Sequence, residues 1–252
     1  EKCKEYGVGG VQLVLLRSLA DFKKGNFTPE YAKSIGDKLR ENGIRVPILG
    51  CYINPSDANE ESLNESLDYF IENLHYAKYI GAEMVGLETC RFSDDDEINN
   101  SEETYQYLLK NMKKLVSAAE EIGVNVGIEG VHFHVINTPT KMKRLVDDLN
   151  SPNVRVIFDP VNYINTANYK NQDEIINTHF DLLGEKTKLL HLKDFKLVDG
   201  EVAYEFPCDG LLKNVFPGDK LTQYNPDIAV ILEEVKEDHL AQVKAAVEKR
   251  FV

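Results

Sequence analysis

The chain has 252 residues, 42% of them hydrophobic, and 29 Lys and Arg against 42 Asp and Glu leave a formal charge of -13 at pH 7. No stretch approaches the roughly 20 apolar residues of a membrane-spanning helix, and so negative a field opposes nucleic acid and anionic lipid alike, so neither is expected as a partner. The length suits one large core, and a single domain over 1–252 is expected.

In chain order, EKCKEYG reads as the tail of a helix that stops at Gly7, and VQLVLL (Val11 to Leu16) as the first strand. A helix over Pro29 to Asn42 and a strand over Arg45 to Gly50 follow, then a helix over Glu60 to Ile80 and a strand over Ala82 to Glu88. The same alternation continues with a helix over Ser101 to Ile122, a strand over Val124 to Glu129, a helix over Pro139 to Leu149 and a strand over Val154 to Asp159. It ends with a helix over Gln172 to Leu183, strands over Lys188 to Leu192 and Ile228 to Glu233, and a last helix over Lys236 to Arg250. Thr28 and Thr138 stand as N-caps before prolines, and Gly43, Gly81, Gly123 and Gly184 stand where helices should stop.

Strands that are apolar at nearly every position, joined by helices, imply a parallel sheet covered on both faces. No G-x-G-x-x-G opens a helix, since GVGG at Gly7 to Gly10 precedes a strand, and the size suits a (β/α)8 TIM barrel better than an open doubly wound sheet. Only seven strands can be found, so the barrel is expected to lack its first strand in this chain, the alternative being a truly seven-stranded or partly open barrel. The one irregular connection, Leu192 to Ile228, carries Asp199-Gly200 between KLV and EVAYEF, a type I′ hairpin signal. A hairpin, with a short helix over Leu211 to Phe216, is expected to stand over the strand ends as a lid.

The last four barrel strands close on Glu129, Asp159, His191 and Glu233, at or near the C-terminal rim where such barrels place their active sites. Strand parity that turns Glu129 and Glu233 inward also turns Gly127, Asn125, Ile231 and Ala229 inward, small or aliphatic fillers suited to a barrel interior. Three carboxylates and an imidazole converging on one point repel one another unless a cation lies between them, and this donor set suits Mn2+, Mg2+, Co2+ or Zn2+. Lys193, two residues beyond His191, should also point inward and could hold a substrate oxygen or phosphate. Of the loop histidines His132 and His134, His132 is preferred as a substrate contact, while His75, His179 and His239 fall within helix patterns and read as packing or surface residues.

GIEGVHFH around Glu129, VIFDPVN around Asp159, LLHLKD around His191 and VILEE around Glu233, in this order, resemble the xylose isomerase-like TIM-barrel superfamily, and more closely its sugar phosphate isomerase/epimerase branch. GLETC at Glu88 adds to the likeness, for that branch often has a Glu near the substrate. The resemblance implies a divalent metal held by Glu129, Asp159, His191 and Glu233. The two glutamates would act as acid and base on opposite faces of a ketose or ketose phosphate, through an enediolate. Two departures bear on the substrate. Asp159-Pro160-Val161-Asn162 stands where the ketose epimerases have Asp-x-x-His, so Asn162 is the candidate substrate contact there, and LKDFKLVDG offers lysines where those enzymes have an Arg.

A metal-dependent dehydratase of a sugar or polyol ketone, using the same proton abstraction, is the alternative. A relative of the apurinic endonucleases, which share the barrel, would need a larger histidine set than the six present, and a non-catalytic binding barrel is disfavoured by the complete ligand set. Cys3, Cys51, Cys90 and Cys208 fall at no repeated spacing, and no apolar leader follows EKCKEYG, so free thiols in the cytoplasm are expected. Self-association as a homo-oligomer is left open.

Overall fold

Four of the longer helices begin on side-chain caps in which an extended residue accepts the backbone N–H three positions on: Thr28 from Tyr31, Asn59 from Ser62, Ser101 from Thr104 and Thr138 from Lys141. They start α3 (Pro29–Glu41), α4 (Glu60–Ile80), α6 (Glu102–Ile122) and α7 (Pro139–Leu149). Gly81 and Gly123 end α4 and α6 at φ of 83° and 80°, where a side chain would be strained. The remaining helices are α1 (Lys2–Glu5), α2 (Leu15–Ser18), α5 (Asp96–Asn99), α8 (Gln172–Leu183) and α9 (Leu240–Phe251). This computed structural model describes residues 2–213 and 224–251.

The strands are β1 (Gly10–Leu13), β2 (Arg45–Gly50), β3 (Met84–Glu88), β4 (Asn125–Glu129), β5 (Val154–Phe158), β6 (Thr187–Leu192), β7 (Asp194–Val198), β8 (Glu201–Glu205) and β9 (Ala229–Leu232). Seven of them form one parallel sheet in the order β1-β2-β3-β4-β5-β6-β9, wound into a nearly closed barrel inside its helices, a TIM barrel lacking one strand. The gap falls between β1 and β9, where no ladder joins the described residues and a cavity of about 1030 Å³ runs beside Gly10, Gln12, Ala229 and Ile231.

Three apolar clusters hold the barrel. Val85, Val126, Val156 and their neighbours face outward onto α3, α4, α6 and α7, with Phe70, Leu74, Leu108 and Leu115 fully buried, each contributing about 1.5–3 kcal/mol of transfer free energy. Phe158, Leu190 and Leu192 pack with Ile176 and Phe180 of α8 and Val243 and Val247 of α9. Inside the barrel, Ile48, Met84, Ile157, Leu189, Ala229 and Ile231 form the floor of the site. Gly86 and Gly127 make room for them: a Cβ on Gly127 would stand 2.7 Å from Met84 Sδ and 2.9 Å from Ile157 Cδ1.

Two local expectations are corrected. The expected strand Val11 to Leu16 ends at Leu13, because the chain turns into α2 at Leu15. Gly184 stops α8 as expected, in right-handed backbone (φ -52°), and its missing side chain clears the ring of Tyr224. The helix expected over Lys236 to Arg250 is a 3-10 turn at Glu237–His239 followed by α9. The hairpin forms as expected: β7 and β8 pair antiparallel, with Asp199 and Gly200 both at positive φ (53° and 87°), as a type I′ turn requires. The short helix expected over Leu211 to Phe216 lies, from residue 214 on, outside the described residues.

Candidate metal centre

Register places the polar groups above the interior floor. Glu88 and Glu129 are direct partners on β3 and β4, and Glu129 aligns with Ile157, two residues before Asp159. His191 aligns with Ile231, two residues before Glu233. Glu88, Glu129, Asp159, His191 and Glu233 therefore rise from one end of the barrel, the C-terminal end of its strands. Residues in left-handed backbone follow two of these strands closely, Cys90 (φ 55°) after β3 and Glu234 (φ 57°) after β9, a strain found most often at functional sites.

One oxygen each of Glu129 and Asp159 and one ring nitrogen of His191 lie within 4.8 Å of one another, all buried. His191 Nδ1 is 3.2 Å from Glu129 and 3.3 Å from Oε1 of Glu233, whose side chain is 23% exposed at the rim. Asp159 Oδ1 accepts the backbone N–H groups of Val161 and Asn162, at 2.8 and 3.2 Å, which turns Oδ2 into the site. That buried oxygen receives no directed hydrogen bond, although Lys193 Nζ approaches it to 2.7 Å as an ion pair. Lys193 also meets Glu233 Oε2 at 3.1 Å and stands 4.6 Å from the centre of the Tyr204 ring. The donors are hard oxygens and an imidazole, and four carboxylates outnumber the two cations Lys193 and His191, so the set fits a divalent cation.

Burial and mutual charge set the protonation of these groups. Burial pushes Asp159 up to about 6, with Lys193 opposing and Glu129 and Glu233 reinforcing. Glu88 rises to about 7, first through burial and then through the nearby charge of Glu129. Burial acts on Glu129 in the same direction, but His191, Lys193 and the Asn162 amide together hold it below the usual carboxylate range. Burial alone would neutralise His191, yet the charges of Glu129, Glu233 and Asp159 raise it to about 9. Lys193 is likewise held charged against its burial, by Asp159, Glu233 and Glu129 in turn.

Asn162 is buried, and its Nδ2 donates to Glu129 Oε1 at 2.8 Å, which leaves its carbonyl oxygen for a ligand. His132 lines a cavity of about 630 Å³ with Asn165, Thr166 and Val202 to Tyr204 of β8, so the hairpin borders the loop after β4. Burial lowers the pKa of His132 and takes His134, 3.7 Å from Glu88, down to about 4. The hairpin base is fixed by Asp194, which accepts the N–H groups of Phe195, Gly210 and Leu212. Three residues at the mouth are absent from the sequence reading: Gln12, Tyr52 and Tyr204. Gln12 Oε1 lies 2.8 Å from His191 Nε2, and Gln12 Nε2 donates to the Tyr52 hydroxyl at 2.8 Å. A lone polar residue between Val11 and Leu13 of a barrel strand was the available signal for Gln12.

A parallel βα barrel with carboxylates and an imidazole gathered at the C-terminal mouth defines a class of barrel proteins built around a polar centre. The chain belongs to the xylose isomerase-like TIM barrel family, whose model matches residues 1–249. No curated protein matches it by sequence. Among solved structures it is similar to the IOLI protein with a bound zinc atom, at 17% identity and a TM-score of 0.74 over 98% of this chain and 90% of that one. It is similar also to a D-psicose 3-epimerase with D-tagatose from Clostridium cellulolyticum H10, at 15% identity and a TM-score of 0.72 over 100% and 91% of the two chains. A third is the probable 3-DHS dehydratase AsbF from Bacillus anthracis, at 12% identity and a TM-score of 0.72 over 99% and 92%.

Proposed function

We propose that the protein is a divalent-metal-dependent isomerase or epimerase of a ketose or ketose phosphate. The observation that carries this reading is the convergence of Glu129, Asp159 and His191, with Glu233 beside the same imidazole nitrogen as Glu129. A zinc-bound neighbour and an epimerase neighbour with a ketose add support.

A Mn2+, Mg2+, Co2+ or Zn2+ ion held by those four side chains would polarise a ketose carbonyl and so acidify the adjacent carbon-bound proton. Glu129, kept ionised in a dry pocket by His191 and Lys193, is suited to take that proton. Glu233, at the rim beside the same His191 nitrogen, is suited to return one to the substrate. Lys193, held charged between Asp159 and Glu233, offers an ammonium to a substrate oxygen. Glu88, balanced between its two forms near neutrality, can accept from or donate to a sugar hydroxyl, and His132 reaches the mouth from the loop after β4. Asn162 holds Glu129 in place and presents its carbonyl oxygen.

A dehydratase reading is favoured by one observation, the similarity to AsbF, and needs the same proton abstraction followed by loss of water. Incubating the Mn2+-loaded protein with a panel of ketoses and ketose phosphates and identifying the products separates the two. An epimer or aldose of unchanged mass supports the isomerase reading. A product lighter by one water supports the dehydratase, and an unchanged panel that includes cyclic polyol ketones overturns both.

A further inference from the structure

The first strand sends into the barrel a side chain that the proposed chemistry leaves unused. Gln12 aligns with Ile48, an interior residue, and its carboxamide is engaged at both ends, by the Tyr52 hydroxyl and by His191 Nε2. The space in which they meet exists because residue 50 is glycine: a Cβ there would stand 3.0 Å from Tyr52 Cε2 and 3.4 Å from Gln12 Nε2. On the far side of the buried imidazole, Nδ1 faces Glu129 and Glu233.

An imidazole ligates a metal through a lone pair on one nitrogen, while the other keeps its proton and needs an acceptor to hold the ring. Gln12 Nε2 donates to Tyr52, and the atom turned toward His191 is the carbonyl oxygen, an acceptor only. It holds the proton on Nε2, so that the proton a cation displaces is the one on Nδ1, on the carboxylate side. We propose that Gln12 is a positioning residue for the cation site, fixing His191 as the Nε2–H tautomer with Nδ1 aimed at Glu129, Asp159 and Glu233. Tyr52 holds the far end of the Gln12 amide. The inference rests on the metal reading above.

The test is Co2+ affinity, measured by competition with a chromophoric chelator on the full chain, for wild type, Gln12→Leu, Gln12→Glu and Tyr52→Phe. Loss of the acceptor in Gln12→Leu should weaken Co2+ binding by about 10- to 100-fold, the usual effect of removing a partner of a ligating histidine. Gln12→Glu, which still accepts from Nε2–H, should bind at least as tightly as wild type, and Tyr52→Phe should fall between. In the Zn2+-loaded wild-type protein, 15N NMR of His191 should show the proton on Nε2, a reading that needs no variant. Binding by Gln12→Leu within about twofold of wild type, or a proton on Nδ1 in the loaded protein, overturns the role of Gln12 while leaving the metal site standing. A wild-type protein that binds no stoichiometric Co2+ overturns the metal reading and this inference together.

Discussion

Replacing Lys193 with Met removes an ammonium from the centre of the site while keeping most of the side-chain stem. Asp159 is fully buried and pairs with Lys193 Nζ at 2.7 Å, and deleting one partner of such a pair typically costs about 3–5 kcal/mol. The Glu233 contact adds less, because that side chain is 23% exposed and water screens it. The stranded Asp159 can escape by taking up a proton, which gives the deficit a sign in pH. Its carboxyl already titrates near 6, above the ordinary value of about 3.9, and losing Lys193 moves it higher. A carboxyl whose folded pKa exceeds its unfolded one has its stability in full below the unfolded value and loses it as pH rises through the folded value. The deficit of Lys193→Met should therefore be small near pH 4 and grow through pH 6 to 8, by up to about 1.4 kcal/mol per pH unit. A divalent cation replaces the missing charge, so Mn2+ should restore more stability to the variant than it adds to wild type. Denaturant unfolding at acid and alkaline pH, with and without Mn2+, measures both effects. A deficit independent of pH, together with equal Mn2+ increments, would refute the electrostatic account of Lys193.

Gly127→Ala should destabilise the barrel by about 1–3 kcal/mol in denaturant unfolding, because its methyl enters the space of Met84 and Ile157; an unchanged midpoint would show that the interior floor can yield. His179 is fully buried, stacked on Phe158 with ring centres 3.6 Å apart, and burial lowers its pKa from 6.5 to about 3. Between those values the unfolded chain binds the extra proton, so wild type should lose up to about 1.4 kcal/mol per unit of pH fall that His179→Phe does not lose; parallel stability curves for the two proteins would count against this. Glu129→Gln should lower Co2+ affinity and bring the His191 pKa, followed by NMR in the metal-free protein, down from about 9, since Glu129 is its largest raising influence. An unchanged His191 titration would mean that the two side chains do not share one field.

The helices were the most legible part of the fold, because their ends are local chemistry. Asn59 and Gly81 bracket α4, and Thr138 with Pro139 opens α7, within a few residues of what each controls. The rim residues were legible for a related reason: a carboxylate or imidazole ending an apolar strand has few places to go but a barrel mouth, and Glu129, Asp159 and His191 do converge. Less legible was anything decided between distant segments. The run Val11 to Leu16 is equally compatible with strand and with the turn into α2, and packing rather than period ends β1 at Leu13. Gln12 and His191 are 179 residues apart, and no spacing rule joins them. Asn162 was read as a replacement for a substrate-gripping imidazole; that its amide would turn back to Glu129 depends on the Asx turn in which Asp159 takes the N–H groups of Val161 and Asn162.

Deuterium incorporation at a ketose carbon, followed by 1H NMR in D2O, tests the central claim most directly, because it reports carbon–hydrogen cleavage whatever the final product. The account predicts that protein stripped of metal does not exchange, that protein reloaded with Mn2+ exchanges one carbon-bound proton, and that Glu129→Gln reloaded to the same occupancy is slowed by at least about a hundredfold. Exchange at full rate by the stripped protein, or by metallated Glu129→Gln, would contradict it.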